Sequence, residues 1–203
     1  MDPYLRGRET WEHLGVDAPP GVIEQLMAAY SEPHRAYHTL EHISECFSQL
    51  ESSGARAVDA GALELALRFH DAIYDTRAAD NEARSAAWAR EALAELAPRT
   101  LDRIDGLIPV TKHEAQPSTP DEALLLDVDL SILGAQRERF DEYERQVRRE
   151  YEWVPEEAYR AARARILARF LDRPALYHTP WFREQLEARA RVSLSRSLES
   201  LEA

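Results

Sequence analysis

Residues 119–133 read TPDEALLLDVDLSIL and carry the best-marked helix start in the chain. Thr119 is a good N-cap residue, Pro120 suits the first helical position, and Glu122 is placed to close a capping box. The run that follows is almost wholly apolar apart from two aspartates. The stretch therefore predicts a buried helix that carries carboxylate into the core, where an ionised carboxylate needs a partner.

Helical signals also fill the rest of the chain. Glycine is rare at seven of 203 residues, Ala, Leu, Glu and Arg are abundant, and few windows alternate as strands do. The predicted helices cover about 21–30, 40–52, 59–74, 80–96, 101–112, 119–133, 136–152 and 155–171, with a final helix that begins at Thr179-Pro180. We expect an all-α fold and a single helical domain over 1–203. Its chemistry is predicted to lie within about 31–133, followed by a helical extension over about 135–203.

The composition narrows the class of partner. Acidic residues outnumber basic ones by 37 to 25 and the formal net charge is −12, which disfavours polymeric nucleic acid and anionic membranes because both reward clustered Lys and Arg. No apolar run approaches the roughly 20 residues that span a bilayer, and the polar N-terminus is unlike a signal peptide. The single cysteine, Cys46, excludes an intramolecular disulfide and favours a cytoplasmic location.

Two short segments contain the histidines of interest. His38 and His42 are four residues apart on a predicted helix, so they share one face and can offer two imidazoles to one metal or one phosphate. This pair is a weak signal by itself, since two half-buried histidines beside an apolar stripe have the same spacing. In the second segment, His70 has apolar helical neighbours and is expected to point inwards.

Carboxylates accompany this second histidine. Asp71 and Asp75 are predicted to share a helix face one turn apart. An inward His beside two carboxylates needs compensation, because buried charges are costly without partners. A divalent cation would provide it, and so would a hydrogen-bonded cluster with Arg68. The segment leaves these two interpretations open.

The two aspartates of the opening stretch are predicted to differ in role. They are about 200° apart around a helix, so they cannot serve one site directly. Asp129 is flanked at helical spacing by Leu125, Leu126, Ile132 and Leu133, which predicts that it is the carboxylate driven into the core and that it needs a cation. Asp127 is interpreted as a helix cap, an ion-pair partner or a group that hydrogen-bonds to a ligand.

Assembled, His42, His70, Asp71 and Asp129 give two imidazoles and two carboxylates on three predicted helices. This mixed N/O set suits one divalent ion (Mn, Fe, Co, Ni, Zn or Mg), and it contains no thiolate of the kind found in structural zinc sites. With coordination positions left open, such an ion would acidify a bound water.

The order His … His-Asp … Asp resembles the HD superfamily of metal-dependent phosphohydrolases, and is most similar to a bacterial branch identified only as predicted HD phosphohydrolases. The matching blocks occur in order and together span about half of the chain; they are Tyr37–Ile43, Phe69–Asp71, Asn81–Ala86 and Leu126–Leu130. The resemblance implies an HD-domain-like helical bundle. It also implies that His42, His70, Asp71 and Asp129 hold the metal; His42 is preferred to His38 because an apolar residue follows it.

Further roles are predicted around this centre. The stretch His70–Thr76 is similar to the HD-x-x-ED-T segment of alarmone (ppGpp) hydrolases, in which an acidic pair helps to activate water. Asp75 matches the second acid, whereas Tyr74 replaces the first. Asp75 and Glu82 are therefore the candidate catalytic acids, with Glu82 also readable as an ordinary first-turn glutamate. The candidate anion-binding residues are Arg35, His38, Lys112 and His113.

The predicted function is a metal-dependent phosphohydrolase that acts on a small phosphorylated metabolite, with a nucleotide as the favoured class. One alternative is a non-catalytic metal-containing nucleotide sensor. An alarmone hydrolase is weakened by the substitution at Tyr74. A diiron oxygenase on the same fold would need extra histidines before Asp129, where His113 is the one available. The expected partner is the small substrate, without nucleic acid or membrane, and a homodimer is left open.

Overall fold

The computed structural model describes residues 10, 11, 14 and 16–202. Within these residues the chain forms nine α-helices and two 3₁₀ helices and contains no β-strand, which confirms the all-α prediction. The α-helices are α1 (Val22–Tyr30), α2 (Leu40–Ser53), α3 (Ala60–Phe69), α4 (Asn81–Ala92), α5 (Pro98–Leu107), α6 (Pro120–Asp129), α7 (Arg137–Glu150), α8 (Glu156–Leu171) and α9 (Pro180–Glu202). The 3₁₀ helices, Ile108–Lys112 and Leu130–Gly134, extend α5 and α6.

Helix α2 begins at Leu40, after His38, so His42 is the one histidine of the predicted pair that lies in the helix. Thr39 is its N-cap, in an extended conformation, and its hydroxyl accepts from the N–H of Glu41. His38 therefore lies before the helix, and the prediction that it shares a helix face with His42 is wrong. His42 itself is buried on the inner face of α2 together with Cys46 and other core residues.

Helix α3 lies in the core, and its side chains Leu63 and 65–69 are buried. It ends at Phe69, five residues before the predicted end at Tyr74, because the next residues bond elsewhere. The N–H of Ala72 donates to the carbonyl of Phe69 in a tight turn, and the N–H of Ile73 donates to the Ser85 hydroxyl. The predicted shared helix face of Asp71 and Asp75 does not exist.

The opening stretch folds largely as predicted. Thr119 caps α6 by accepting from the N–H of Glu122, and Pro120 occupies the first turn. The Glu122 carboxylate accepts from the N–H and hydroxyl of Ser118 instead of the N-cap N–H, so the reciprocal bond is displaced by one residue. The apolar side chains Leu124, Leu125 and Val128 pack in the core.

The C-terminal helices pack directly on the earlier ones. Helix α9 lies against α8 and against the 3₁₀ turn that follows α6. The approach is close at Gly134, where an added Cβ would lie 2.6 Å from the Cβ of Leu186. None of the helices in the described part of the chain has both the length and the apolar character needed to cross a membrane.

Candidate metal centre and its cavity

Four side chains from three parts of the fold converge on one point. His42 comes from α2, His70 and Asp71 come from the turn that ends α3, and Asp129 is the last residue of α6. The Nε2 atoms of His42 and His70 are 3.2 Å apart. Asp71 Oδ2 lies 3.7 Å and 3.0 Å from these two nitrogens, and Asp129 Oδ1 lies 3.3 Å and 3.4 Å from them.

These separations fit a single ion. Ligand atoms about 2.1 Å from one ion are about 3.0 Å apart at right angles and about 3.4 Å apart in a tetrahedron. The two histidine side chains are 2% and 1% exposed, and the Asp71 and Asp129 side chains are 18% and 12% exposed. The four donors are therefore held inside the protein, with the carboxylates towards the open side. His42, His70, Asp71 and Asp129 are the set predicted from the sequence, and they lie close enough to bind a metal.

The end of α3 determines which ring nitrogen of His70 carries a proton. Its Nδ1 lies 2.9 Å from the carbonyl oxygen of Leu67, one of the carbonyls left without a helical partner at a helix end. A carbonyl only accepts, so Nδ1 must carry the proton. Burial opposes protonation of the ring, but the charges of Asp71 and Asp129 raise the pKa of His70 well above its ordinary value. When Nε2 loses its proton, it presents its lone pair to the cluster, as a metal ligand requires.

The carboxylates of the cluster are kept ionised. Burial by itself would raise the pKa of Asp71, but the neighbouring His70 and His38 lower it below its usual range. Burial likewise opposes ionisation of Asp129, and the attraction of His70 with hydrogen bonds from His113 and His42 brings its pKa well below the usual value. Ionised carboxylates are the form that binds metal.

The two oxygens of Asp129 have separate partners. Oδ1 faces the cluster, whereas Oδ2 lies 2.8 Å from Nε2 of His113. His113 adopts a left-handed backbone conformation (φ 57°) just after the 3₁₀ turn, which directs its ring at this carboxylate. His113 was predicted to bind an anion. It lines the cavity, and it also orients Asp129, a candidate metal ligand.

Asp127 is more deeply buried than Asp129, the reverse of the predicted order. Its carboxylate accepts from the N–H groups of His178 and Thr179 and from the Thr179 hydroxyl, at 2.6 to 2.7 Å. These bonds hold the two residues that precede α9. Burial raises the pKa of Asp127 in spite of them. Asp127 thus fixes the two residues that lead into α9, and its observed bonds do not reach the cluster.

Arg35 is placed differently from its predicted role as an anion-binding residue. Its side chain is fully buried, and its guanidinium donates to the carbonyls of His38, Asp71 and Ala72 as well as to the Glu32 carboxylate. These bonds occupy the guanidinium donors with backbone carbonyls around the turn that contains His70 and Asp71. Arg35 therefore shapes the turn that presents Asp71 and does not face the cavity.

His38 stands beside the cluster, where Glu150 fixes it. Its Nδ1 lies 2.7 Å from Oε2 of Glu150, and its ring stacks on Tyr74 with centroids 4.2 Å apart. The ring centroids of His38 and His42 are 5.9 Å apart. Burial opposes protonation, yet the charge of Glu150 raises the pKa of His38 above its ordinary value. Glu150 thus favours the protonated form of His38, which is the form that attracts an anion.

A cavity of about 620 Å³ opens above the cluster. Asp71, Asp129 and His38 lie at its floor, and Lys112, His113 and Glu82 line it as well. Asp75, the other candidate acid, is exposed and does not line the cavity. Its carboxylate accepts from the N–H of Arg77, so it stabilises the loop after the His-Asp turn.

The chain has no significant match among protein-family models, curated proteins or solved structures.

Several cavity residues were not found from the sequence, because they lie in the region interpreted as an extension. Helix α8 contributes much of the outer wall, so the cavity extends beyond the region 31–133 in which the chemistry is predicted to lie. The residues missed include Tyr151, Tyr159, Arg163, Arg169, Phe170 and Arg173.

Glu150, which fixes His38, was missed too, although a signal was present. It continues the stripe of buried positions Phe140, Tyr143 and Val147 on α7 at helical spacing. An acid on the buried face of a helix predicts a specific partner. Cys46 is also close to the cluster, with its Sγ 3.7 Å from Nδ1 of His42, and burial keeps the pKa of its thiol well above normal.

Proposed function

We propose that this protein is a metal-dependent phosphohydrolase of the HD type that acts on a small phosphorylated metabolite, with nucleotides as the favoured class. The observation that carries the proposal is the convergence of His42, His70, Asp71 and Asp129 on one point at the floor of a cavity. The order of these residues along the chain, which resembles the HD pattern, supports it further.

The donor set fits a divalent ion, since two imidazole nitrogens and two ionised carboxylates suit first-row metals such as Mn, Fe, Co, Ni and Zn. When bound, such an ion supplies a Lewis acid for a phosphoryl oxygen and lowers the pKa of a coordinated water. His113 holds Asp129 from the side away from the cluster, and the carbonyl of Leu67 holds His70. These bonds fix the ligands before any substrate arrives.

The size and lining of the cavity favour a small substrate. A volume of about 620 Å³ is in the range typical of small-molecule sites. Its walls combine cations with the rings of Tyr74, Tyr151, Tyr159 and Phe170. Cations suit phosphate groups, and aromatic walls suit a planar base.

Glu82 is the acid that we propose orients and deprotonates the attacking water. It is half-buried in the first turn of α4 and lines the same cavity as Asp71 and Asp129. Asp75 is exposed outside this cavity, so it does not share that role. His38, whose protonated form is favoured by the charge of Glu150, is placed to attract the phosphate.

The test combines metal analysis with a phosphate-release screen. We expect the purified protein to contain about one divalent ion per chain and to release phosphate from mono-, di- or triphosphate nucleotides, ppGpp or phosphodiesters. His70→Ala should lose both metal and activity. Full activity in His70→Ala would contradict the proposal. Nucleotide binding without phosphate release at saturating Mn²⁺ would favour the sensor alternative.

A further inference from the structure

Two arginines in the cavity wall stand apart from the other lining cations. Arg169 lies in the last turn of α8, and Arg173 follows two residues after that helix. They are four residues apart, and both line the cavity that contains the metal cluster. Neither is within ion-pair distance of a carboxylate among residues 10, 11, 14 and 16–202.

The lysine and the third arginine of the same wall each have an acidic partner. Arg163 is buried and bound to the Glu144 carboxylate and to the Tyr143 hydroxyl. Lys112 lies 3.5 Å from Glu114. Exposed arginines such as Arg84 and Arg165 also have no acidic partner within the described residues, and what distinguishes Arg169 and Arg173 is that both line the cavity of the metal cluster. A helix C-terminus favours cations, which accounts for their presence but not for the lack of acid around them.

The surroundings of Arg173 increase the need for a counter-ion. Its guanidinium donates one bond to the carbonyl of His113 at 2.7 Å and lies 4.6 Å from the ring centre of Phe170. Burial and the charge of Arg169 both lower the pKa of Arg173. The bond to His113 also fixes the distance to the metal cluster, because His113 in turn contacts Asp129. Arg173 is therefore separated from the cluster by the length of one histidine.

We propose that Arg169 and Arg173 form an anion subsite, so that the substrate carries a second phosphate group beyond the one at the metal centre. The phosphate at the metal centre rests on the proposed function, whereas the subsite rests on the positions of the two arginines. Two guanidinium groups offer several N–H donors in planar forks that match phosphate oxygens. A nucleoside monophosphate would leave them unused, whereas a substrate with a phosphate chain or with two separate phosphates would fill them.

The experiment compares two ligands that contain no P–O–P bond: inorganic phosphate and the bis-methylene analogue of inorganic triphosphate. Binding of each to the full-length Mn²⁺-loaded protein is measured by calorimetry. The wild-type protein should bind the longer analogue at least about 10-fold more tightly than phosphate. Arg169→Gln should reduce this ratio at least about fivefold without changing phosphate affinity, and the double variant with Arg173→Gln should abolish it. Arg165→Gln, an exposed arginine of α8 outside the cavity, is the matched control.

Three results would overturn the subsite: equal affinity of the wild-type protein for both ligands, no binding of either ligand, or an unchanged ratio in the double variant. Metal content is measured for each variant, because Arg173 also touches His113. Arg169→Gln removes no protein hydrogen bond within the described chain, so its effect reports on the subsite directly. A protein that keeps the ratio but releases no phosphate from any substrate would contradict the proposed function and leave the subsite standing.

Discussion

Nδ1 of His38 lies 2.7 Å from Oε2 of Glu150, and Oε1 of the same carboxylate accepts from three successive backbone N–H groups, those of Ala36, Tyr37 and His38. The hydroxyl of Tyr74 donates to Oε2 as well. One acid at the end of α7 thus fixes the segment that leads into the metal-binding helix α2. The C-terminal part of the chain is therefore a component of the site and does more than cover it.

Glu150→Gln is expected to destabilise the protein by about 2–3 kcal/mol, because a fully buried carboxylate that accepts charge-assisted and backbone hydrogen bonds is replaced by an amide with one acceptor. Chemical denaturation at pH 7 measures the loss. Glu152→Gln, two residues further on and exposed, is the matched control and should change stability by less than about 0.5 kcal/mol. Equal stability of the two variants would contradict the role assigned to Glu150.

The pH dependence of stability should also reveal the contribution of the Glu150 carboxylate. Burial would raise the pKa of Glu150, but His38 and the N–H groups lower it from 4.5 to about 2. Since the folded-state pKa is below the unfolded one, its contribution is complete above about pH 5 and is lost as the pH falls towards 2. That contribution is about 3 kcal/mol. The free energies of unfolding of the wild-type protein and Glu150→Gln should therefore become equal as the pH is lowered from 6 to 2, over about four units. A constant difference between the two proteins over this range would contradict the role of Glu150.

Asp127 and Asp129, two residues apart on α6, give a matched pair of variants for the metal centre. Asp129→Asn should remove most of the bound metal, since it replaces an ionised donor that lies 3.3 to 3.4 Å from both histidine nitrogens. Asp127→Asn should keep the metal but lower stability by about 1–2 kcal/mol, because it weakens the bonds that hold the two residues before α9. Metal analysis and thermal denaturation of both proteins separate the two roles. Metal loss in Asp127→Asn alone would reverse the assignment.

The two candidate acids can be separated by activity. Glu82→Gln should lower kcat at least about 100-fold if Glu82 handles the proton of the attacking water. Asp75→Asn should keep activity within about threefold of the wild-type protein, because its side chain binds the N–H of Arg77 outside the cavity. Both variants should retain the metal. A large loss of activity in Asp75→Asn with unaffected Glu82→Gln would exchange these roles.

Most of the helices were predictable because they depend on local patterns, and the four-residue cluster was predictable from inward-facing His and Asp residues whose order resembles the HD pattern. Capping residues mark the start of α6, and the apolar neighbours of Asp129 and His70 indicate that these side chains point inwards. The depth of Asp127 was not predictable in the same way. It depends on the start of α9, which lies about 50 residues further along the chain, and no local spacing records that contact.

The end of α3 and the position of Arg35 were also not predictable, because both depend on contacts between distant parts of the chain. Periodicity continues through Tyr74, but the guanidinium of Arg35 binds the carbonyls of Asp71 and Ala72 and so favours a turn over another helical turn. The cations of the cavity wall were missed for a related reason. Arg169 and Arg173 resemble solvated residues at a helix end until α8 is placed across the cluster.

Arg35→Met is expected to weaken metal binding by about 10- to 100-fold although Arg35 is not a ligand, because groups that hold ligands in place have effects of this size. The methionine keeps much of the buried volume but donates nothing to the carbonyls of His38, Asp71 and Ala72. Competition with a metal chelator measures the affinity. Arg84→Met, an exposed arginine of α4, is the control and should bind metal as the wild-type protein does. If Arg35→Met keeps full metal affinity but loses phosphate affinity, Arg35 is an anion-binding residue after all, as its sequence position predicted.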